Sequence, residues 1–333
     1  MNDFSHILAD SVERLFDDLS SYDASDPAGW AAIADMGLPV LFLPEDRGGM
    51  DASWADAEPV LRACGFHALP FPVGETMIAR RLLHEAGIEA PSAPIAFARA
   101  TTVAGTGDRF SGEVNILCSM PAGSHLLVQT GDGVALLDSA EAQARTQRRN
   151  AAGEDRDRLT FAHARCQTVA DIAADRILLF GAFLRTAQIA GALKAILERT
   201  LRYAGERSQF GRELRKFQTI QHQIAMLAEE TAAVFNASAS AAQALDAGNA
   251  QFAIACAKLR ADMATGKAAL IAHQVHGAIG IAEEYDLHRF TQRLWAWRSE
   301  FGNDRYWARE LGRSVLAKGA PLPWETLTQR NAP

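Results

Sequence analysis

The chain has 333 residues, enough for two or three domains, and its 48% hydrophobic and 22% charged residues are ordinary for a globular protein. A formal charge of −7 gives no general attraction to nucleic acid or to an anionic membrane surface. Cys64, Cys118, Cys166 and Cys256 form no C-x-x-C pair, which argues against a zinc site or redox dithiol and for buried thiols in a reducing, cytoplasmic setting.

Met1 to Asp18 carries acids and no long apolar run, unlike a signal peptide, and no apolar stretch reaches the roughly 18 residues of a membrane span. Ile7, Leu8, Val12, Leu15 and Phe16 recur at helical spacing. Asp26-Pro27 opens a further helix, Pro44 to Gly49 is a turn, and Asp51 or Ser53 caps the next helix. Residues 1–88 are therefore expected to form a helical domain.

Residues 89–170 change character. The runs Val114–Leu117, Leu126–Gln129 and Val134–Leu137, with Gly131-Asp132-Gly133 as a hairpin turn, predict a small β domain. Residues 144–158 read as a solvated charged loop. From 171 to 333 the pattern is helical: Ile177, Phe180, Leu184, Ala187, Gly191 and Ile196 mark one face of a first helix. A second carries Ile220, Ile224 and Leu227 and stops at Ala247-Gly248-Asn249. A third runs from Gln251 to His276 and a fourth from Tyr306 to Ala317. Long helices with short turns favour an antiparallel bundle. Trp295, Trp297 and Trp307 read as core packing around the C-terminal turn.

The stretch Arg207-Ser-Gln-Phe-Gly-Arg-Glu-Leu-Arg-Lys-Phe-Gln-Thr-Ile-Gln-His222 joins a tight Phe210-Gly211 corner to a new helix. It gathers Arg207, Gln209, Gln218 and Gln221. A guanidinium and several amides at a helix start suit a diphosphate and a heteroaromatic ring; a helix hairpin with a solvated face fits the same residues. There is no H-E-x-x-H, G-x-S-x-G or G-x-x-x-x-G-K-[ST] segment, so no metal is expected.

R-x-x-F-G-x-x-x-x-x-F-Q-x-x-Q-H over 207–222 resembles the flavin-binding signature of the acyl-CoA dehydrogenase family. Gln274–Gly280 is similar to that family's Q-x-x-G-G-x-G segment, and Gly37–Gly49 to its G-L-x-x-x-x-x-P-E-x-x-G-G turn. The resemblance implies a mainly α fold with three parts: an N-terminal helical domain, a β-barrel-like middle domain and a C-terminal antiparallel four-helix bundle. It implies FAD, an acyl-CoA substrate, an electron-transfer flavoprotein as acceptor, and a homo-oligomer or a heteromer with a related subunit. By position, Arg207 and Gln209 would meet the cofactor diphosphate, Phe210 would pack on the flavin or adenine end, and Gln218 would lie on the adenine side. These residues usually serve the FAD of a neighbouring subunit. Gln274, Gly277 and Ala278 would line the diphosphate across the same interface, with Ala278 standing where the family usually has glycine. Asn303 falls where the family has a threonine beside the flavin. The family's middle-domain T-E-P-x-x-G-S-D has no counterpart here; Thr101–Asp108 is the nearest stretch.

Desaturation of an acyl thioester needs a base for the α-proton. The family's base is a carboxylate, and Glu300 is the candidate in this chain. Counting from Gly280 puts Phe301 in register with the usual base, and the alternative place on the first bundle helix falls at about Gly181, beside Ala182. Three functions are expected of such a chain: an FAD-dependent acyl-CoA dehydrogenase, a non-catalytic or half-site subunit of a heteromeric one, or a cofactor-free helical interaction protein of the same fold.

Overall fold

The protein is described from a computed structural model, which covers residues 3–24, 26–104, 108–131, 133–169 and 172–317. The first part is helical, as expected. Helix α1 (Asp3–Leu19) buries Val12, Phe16 and Leu19 along one face. Helix α2 (Pro27–Asp35) starts at Asp26, whose carboxylate accepts the Ala28 N–H at 2.9 Å. Helix α3 (Trp54–Phe66) opens with a capping box of Ser53 and Asp56, so Ser53 rather than Asp51 is the cap. Helix α4 (Val73–Glu85) completes the layer.

The middle part is a six-stranded sheet of β1 (Ile95–Ala104), β2 (Arg109–Ile116), β3 (His125–Gln129), β4 (Val134–Asp138), β5 (Ala144–Thr146) and β6 (Arg158–Val169). The order is β2-β1-β3-β4-β6-β5, and a further β2–β6 pairing closes it into a barrel. Alternate residues serve two cores because successive side chains point to opposite faces. Ala96, Ala98, Leu126 and Val128 fill the barrel, whereas Ile95, Phe97 and Leu127 pack into the helical core. The predicted turn at 131–133 lies between β3 and β4, with Asp132 outside the described residues. Gly105 to Gly107 of the Thr101–Asp108 stretch lie outside them too.

The last part is built on α5 (Arg176–Glu206), a short hairpin of β7 (Ser208–Gln209) and β8 (Arg212–Glu213), α6 (Gln218–Asp246), α7 (Gln251–His276), α8 (Leu287–Trp297) and α9 (Asp304–Ala317). Helix α5 is the central rod. A Cβ at Gly191 would lie 1.9 Å from the Arg62 carbonyl oxygen and one at Gly65 1.9 Å from that of Gln188, so glycine at both places lets α3 and α5 cross closely. Contrary to the sequence reading, α5 is long and apolar enough to cross a membrane; 83% of that apolar stretch is buried inside the protein. Two further corrections concern the last bundle residues and the charged loop. Helix α8 has no counterpart in the sequence reading. Glu154, Arg156 and Asp157 of that loop are not solvated: Glu154 and Arg156 are only 12% and 13% exposed, and Asp157 is buried.

Candidate functional site

The sequence-predicted residues fall at two places in the bundle. Helices α5 and α7 run parallel, each antiparallel to α6, so their C-terminal ends meet. Tyr203 stacks on His276 there, with centroids 4.6 Å apart. His276 is held by the Ala272 carbonyl at 2.8 Å and lies 3.2 Å from the Tyr285 hydroxyl. Arg199 grips Asp286 with both Nε and Nη2, at 2.9 and 2.7 Å, which ties α5 to the start of α8.

On this frame sits the hairpin. Arg207 caps α5, and Phe210 and Gly211 take φ of +51° and +80°, the two left-handed corners that a two-residue hairpin demands. Phe210 is 91% exposed. Arg207, Gln209 and Gln218 are exposed as well. Across the bundle end, α7 stops at Gly277, whose φ of +65° and ψ of −141° suit glycine, and a Cβ there would meet nothing within 4 Å. Gln274, Gly277 and Ala278 are exposed beside it. Seven of the predicted residues thus lie at one end of the bundle. They form an open polar surface, with the backbone accessible at Gly277 and an exposed cation at Arg207. The residues fit an anionic, amide-bearing ligand such as a dinucleotide diphosphate.

Glu300 and Asn303 lie elsewhere. Glu300 Oε2 accepts from Arg185 Nε at 2.7 Å, and positions 185 and 207 are 22 residues apart along α5, about 33 Å at the helical rise. Asn303 caps α9, its side-chain oxygen accepting the Tyr306 N–H at 3.0 Å. One chain therefore does not bring Glu300 and Asn303 to the hairpin end.

Around Glu300 the barrel and bundle are joined by a closed ionic network. Glu300 Oε1 accepts from Arg156 at 2.8 Å and from Asn150 Nδ2 at 3.3 Å. Arg185 also donates to Glu75 at 3.1 Å, to the Leu117 carbonyl at 3.1 Å and to Gln188. Glu154 receives Arg156 at 3.0 Å, Arg293 at 3.1 Å and the Trp297 indole N–H at 3.0 Å. These partners draw Glu154 and Arg156 out of solvent. Burial pushes the Glu154 carboxyl up, but the Arg156, Arg293 and Arg185 guanidiniums outweigh it and hold it at about 2. Burial pulls Arg185 down, and Glu300, Glu75 and Glu154 together raise it above its ordinary value. Both oxygens of Glu300 accept charge-assisted bonds, so in this arrangement it secures the two arginines.

The next residue, Phe301, is 5% exposed and takes a φ of +53°. Its turn is pinned by fully buried Lys258, whose Nζ donates to Asp262 at 2.5 Å, to the Arg298 carbonyl at 3.1 Å and to that of Gly302 at 3.0 Å. Burial lifts the Asp262 carboxyl to about 7, with Lys258 opposing the rise. The Phe301 ring lies edge-on to Phe97, 6.2 Å away, and under the Arg185 guanidinium at 5.5 Å. It also covers Gly181: a Cβ there would sit 2.1 Å from the ring. The two positions expected for a base, on α5 and on the turn before α9, therefore face each other across a single contact. Neither carries a carboxylate.

Arg185, Arg156, Glu75 and Glu154 were missed in the sequence. Arg185 had a usable signal, since a lone charge inside the apolar run of α5 needs a buried partner. Its partners come from α4, the barrel and the α8–α9 turn, which no local pattern connects. Among the described residues no group of His, Cys, Asp and Glu could hold a metal ion.

Residues 170–316 match the family described as "Acyl-CoA dehydrogenase, C-terminal domain". The acyl-CoA dehydrogenase IpdE2 of Mycobacterium tuberculosis is 28% identical over 278 residues, covering 80% of each chain. A solved structure of the Tcur3481-Tcur3483 steroid ACAD G363A variant superposes with a TM-score of 0.82 at 24% identity, covering 96% of this chain and 99% of that one. The ChsE4-ChsE5 complex from Mycobacterium tuberculosis superposes with a TM-score of 0.79 at 20% identity, over 95% of this chain and 98% of that one.

Proposed function

The chain belongs to the acyl-CoA dehydrogenase family, and from that premise we propose that it is the half-site subunit of a heteromeric, FAD-dependent enzyme that desaturates an acyl-CoA thioester. The observation that carries this reading is the contact of Phe301 with Gly181, which puts an aromatic ring and a bare backbone at both places where the family's base is expected. FAD, when bound, supplies the hydride acceptor and passes electrons to an electron-transfer flavoprotein. Arg207 neutralises, and the Gln209 amide donates to, the diphosphate of the FAD seated against the partner subunit. Gln218 serves its adenine side, Phe210 covers it from water, and the open backbone at Gly277 lets amides of Gln274 to Ala278 approach the phosphate oxygens. The base comes from the partner. Two neighbours, Tcur3481-Tcur3483 and ChsE4-ChsE5, are pairs of differently named chains, which supports the heteromer.

The test is flavin stoichiometry. The chain purified alone is expected to carry no flavin. Co-expressed with its partner dehydrogenase subunit, it is expected to yield one FAD per pair of chains and anaerobic bleaching by acyl-CoA. One FAD per chain and full bleaching from this chain alone would overturn the proposal.

A second reading keeps Glu300 as the base and Asn303 as a flavin neighbour. Its support is the position of Glu300 one residue from Phe301, at 17% exposure. It requires Arg156 and Arg185 to release the carboxylate when substrate binds. A Glu300→Gln variant of the complete complex that bleaches at the parental rate would remove it.

A further inference from the structure

Away from both ends of the bundle, a cavity of about 950 Å³ opens between α4, the turn at residues 43–47 and strands β3 and β4. Its size is that of a small-molecule site. Arg80, Arg47, His84 and His125 line it, with Glu89 the only acid among the described residues of its lining. That is an unusual balance in a chain with a formal charge of −7. Leu43, Ile88 and Leu136 give it apolar walls.

Two of these side chains carry a buried nitrogen without a hydrogen-bond partner among the described residues. Arg80 is 8% exposed, and no carboxylate among the described residues lies within ion-pairing distance of it. Its Nη2 donates to the carbonyls of Pro91 at 3.1 Å and Ser92 at 2.6 Å, fixing the chain before β1. Its Nε is buried with no hydrogen-bond partner among the described residues, and so is Nδ1 of His125. A guanidinium keeps its charge even when buried, and leaving it without a counter-ion is costly. An oxyanion in the cavity would supply the counter-ion that Arg80 lacks, and His125 on its wall can donate to the same ion, since either histidine nitrogen can carry the proton.

We propose that this cavity binds a small organic oxyanion, a carboxylate or phosphate monoester on an apolar body, with Arg80 and His125 as its donors. Arg47 stands at the exposed rim and draws the anion in. The cavity's apolar walls take the body. This site uses none of the residues assigned to FAD or to the base, so it stands or falls separately from the half-site reading.

Calorimetric titration of the full chain with octanoate, octyl phosphate and inorganic phosphate tests it. Saturable binding of one octanoate or one octyl phosphate per chain is expected, and which binds tighter assigns the headgroup. Inorganic phosphate should bind more weakly than octyl phosphate. Arg80→Gln and His125→Leu are each expected to weaken binding about tenfold or more, as loss of a charge-assisted bond implies. Arg47→Ala should weaken it by about threefold, as a rim charge does. If Arg80→Gln fails to fold, His125→Leu, checked by circular dichroism, carries the test alone. No saturable binding of any probe, or unchanged affinity in the folded variants, overturns the proposal.

Discussion

The two ends of the bundle use the same residue types to opposite effect. At the hairpin end, Arg207, Gln209, Gln218 and Gln274 stand in solvent. At the junction with the barrel, Arg185, Arg156, Glu75, Glu154 and Glu300 satisfy one another. An arginine left open is available to a ligand, whereas one enclosed by carboxylates is part of the structure. Pairing, more than residue identity, separates a binding surface from a brace.

Removing the centre of the brace should have the largest effect. Arg185→Ala leaves Glu75 without its cation and Glu300 with Arg156 alone, and loss of one partner of a buried pair costs about 3–5 kcal/mol. Urea unfolding is expected to show that loss. A cost under about 1 kcal/mol would mean that apolar packing alone joins barrel and bundle.

Acid should loosen the same junction. The folded Glu154 carboxyl sits at about 2, below its ordinary value of 4.5, so the unfolded chain binds the proton more tightly. The stabilisation is complete above about pH 5 and is lost as pH falls through about 2, to the extent of about 3 kcal/mol. Asp262 works in the opposite sense. Its carboxyl is lifted from 3.8 to about 7, so its contribution weakens as pH rises between those values. Melting temperatures measured from pH 2 to pH 8 should therefore show an acid limb that Glu154→Gln flattens and a fall towards neutral pH that Asp262→Asn removes. A Glu154→Gln protein with the parental acid limb would place the acid sensitivity elsewhere.

A smaller effect is expected where the two base positions meet. Gly181→Ala would put a methyl 2.1 Å from the Phe301 ring, and overpacking of this kind costs about 1–3 kcal/mol. Adding Phe301→Leu should recover most of it. If the single variant is as stable as the parent, the ring has room to leave, and the junction is less closed than its contacts indicate.

The sequence reading reached the open end far better than the closed one. Phe210-Gly211, Gly277 and the flanking amides lie in short segments whose turn chemistry and order in the chain carry their meaning. Helix α7 from Gln251 to His276 was legible to the residue, because its end is set by Gly277. The brace is different. Glu75, Leu117, Arg156, Arg185 and Glu300 come from five separated segments, which meet only when α4 and the α8–α9 turn pack on α5 and the β2–β6 pairing brings Leu117 beside Arg156. The charges of residues 144–158 suggest a solvated loop only while their partners, distant in the chain, are left out. Helix α8 escaped because its polar face, with Arg289 and Arg293, answers Ser20 and Glu154 rather than solvent.

The smallest change in stability should come from the open end, and it decides the comparison. Arg207 is exposed and makes no ion pair among the described residues, so Arg207→Ala should alter unfolding free energy by less than about 0.5 kcal/mol, as for surface positions generally. In the complex with its partner subunit the same change removes a cation from the proposed diphosphate site. Flavin affinity should then fall about tenfold or more, read from absorbance after gel filtration. A brace residue would give the reverse pattern, with stability lost first and flavin lost only as a consequence. An Arg207→Ala complex that retains flavin like the parent, at unchanged stability, would leave the hairpin a solvated turn and move the cofactor's anionic end away from it.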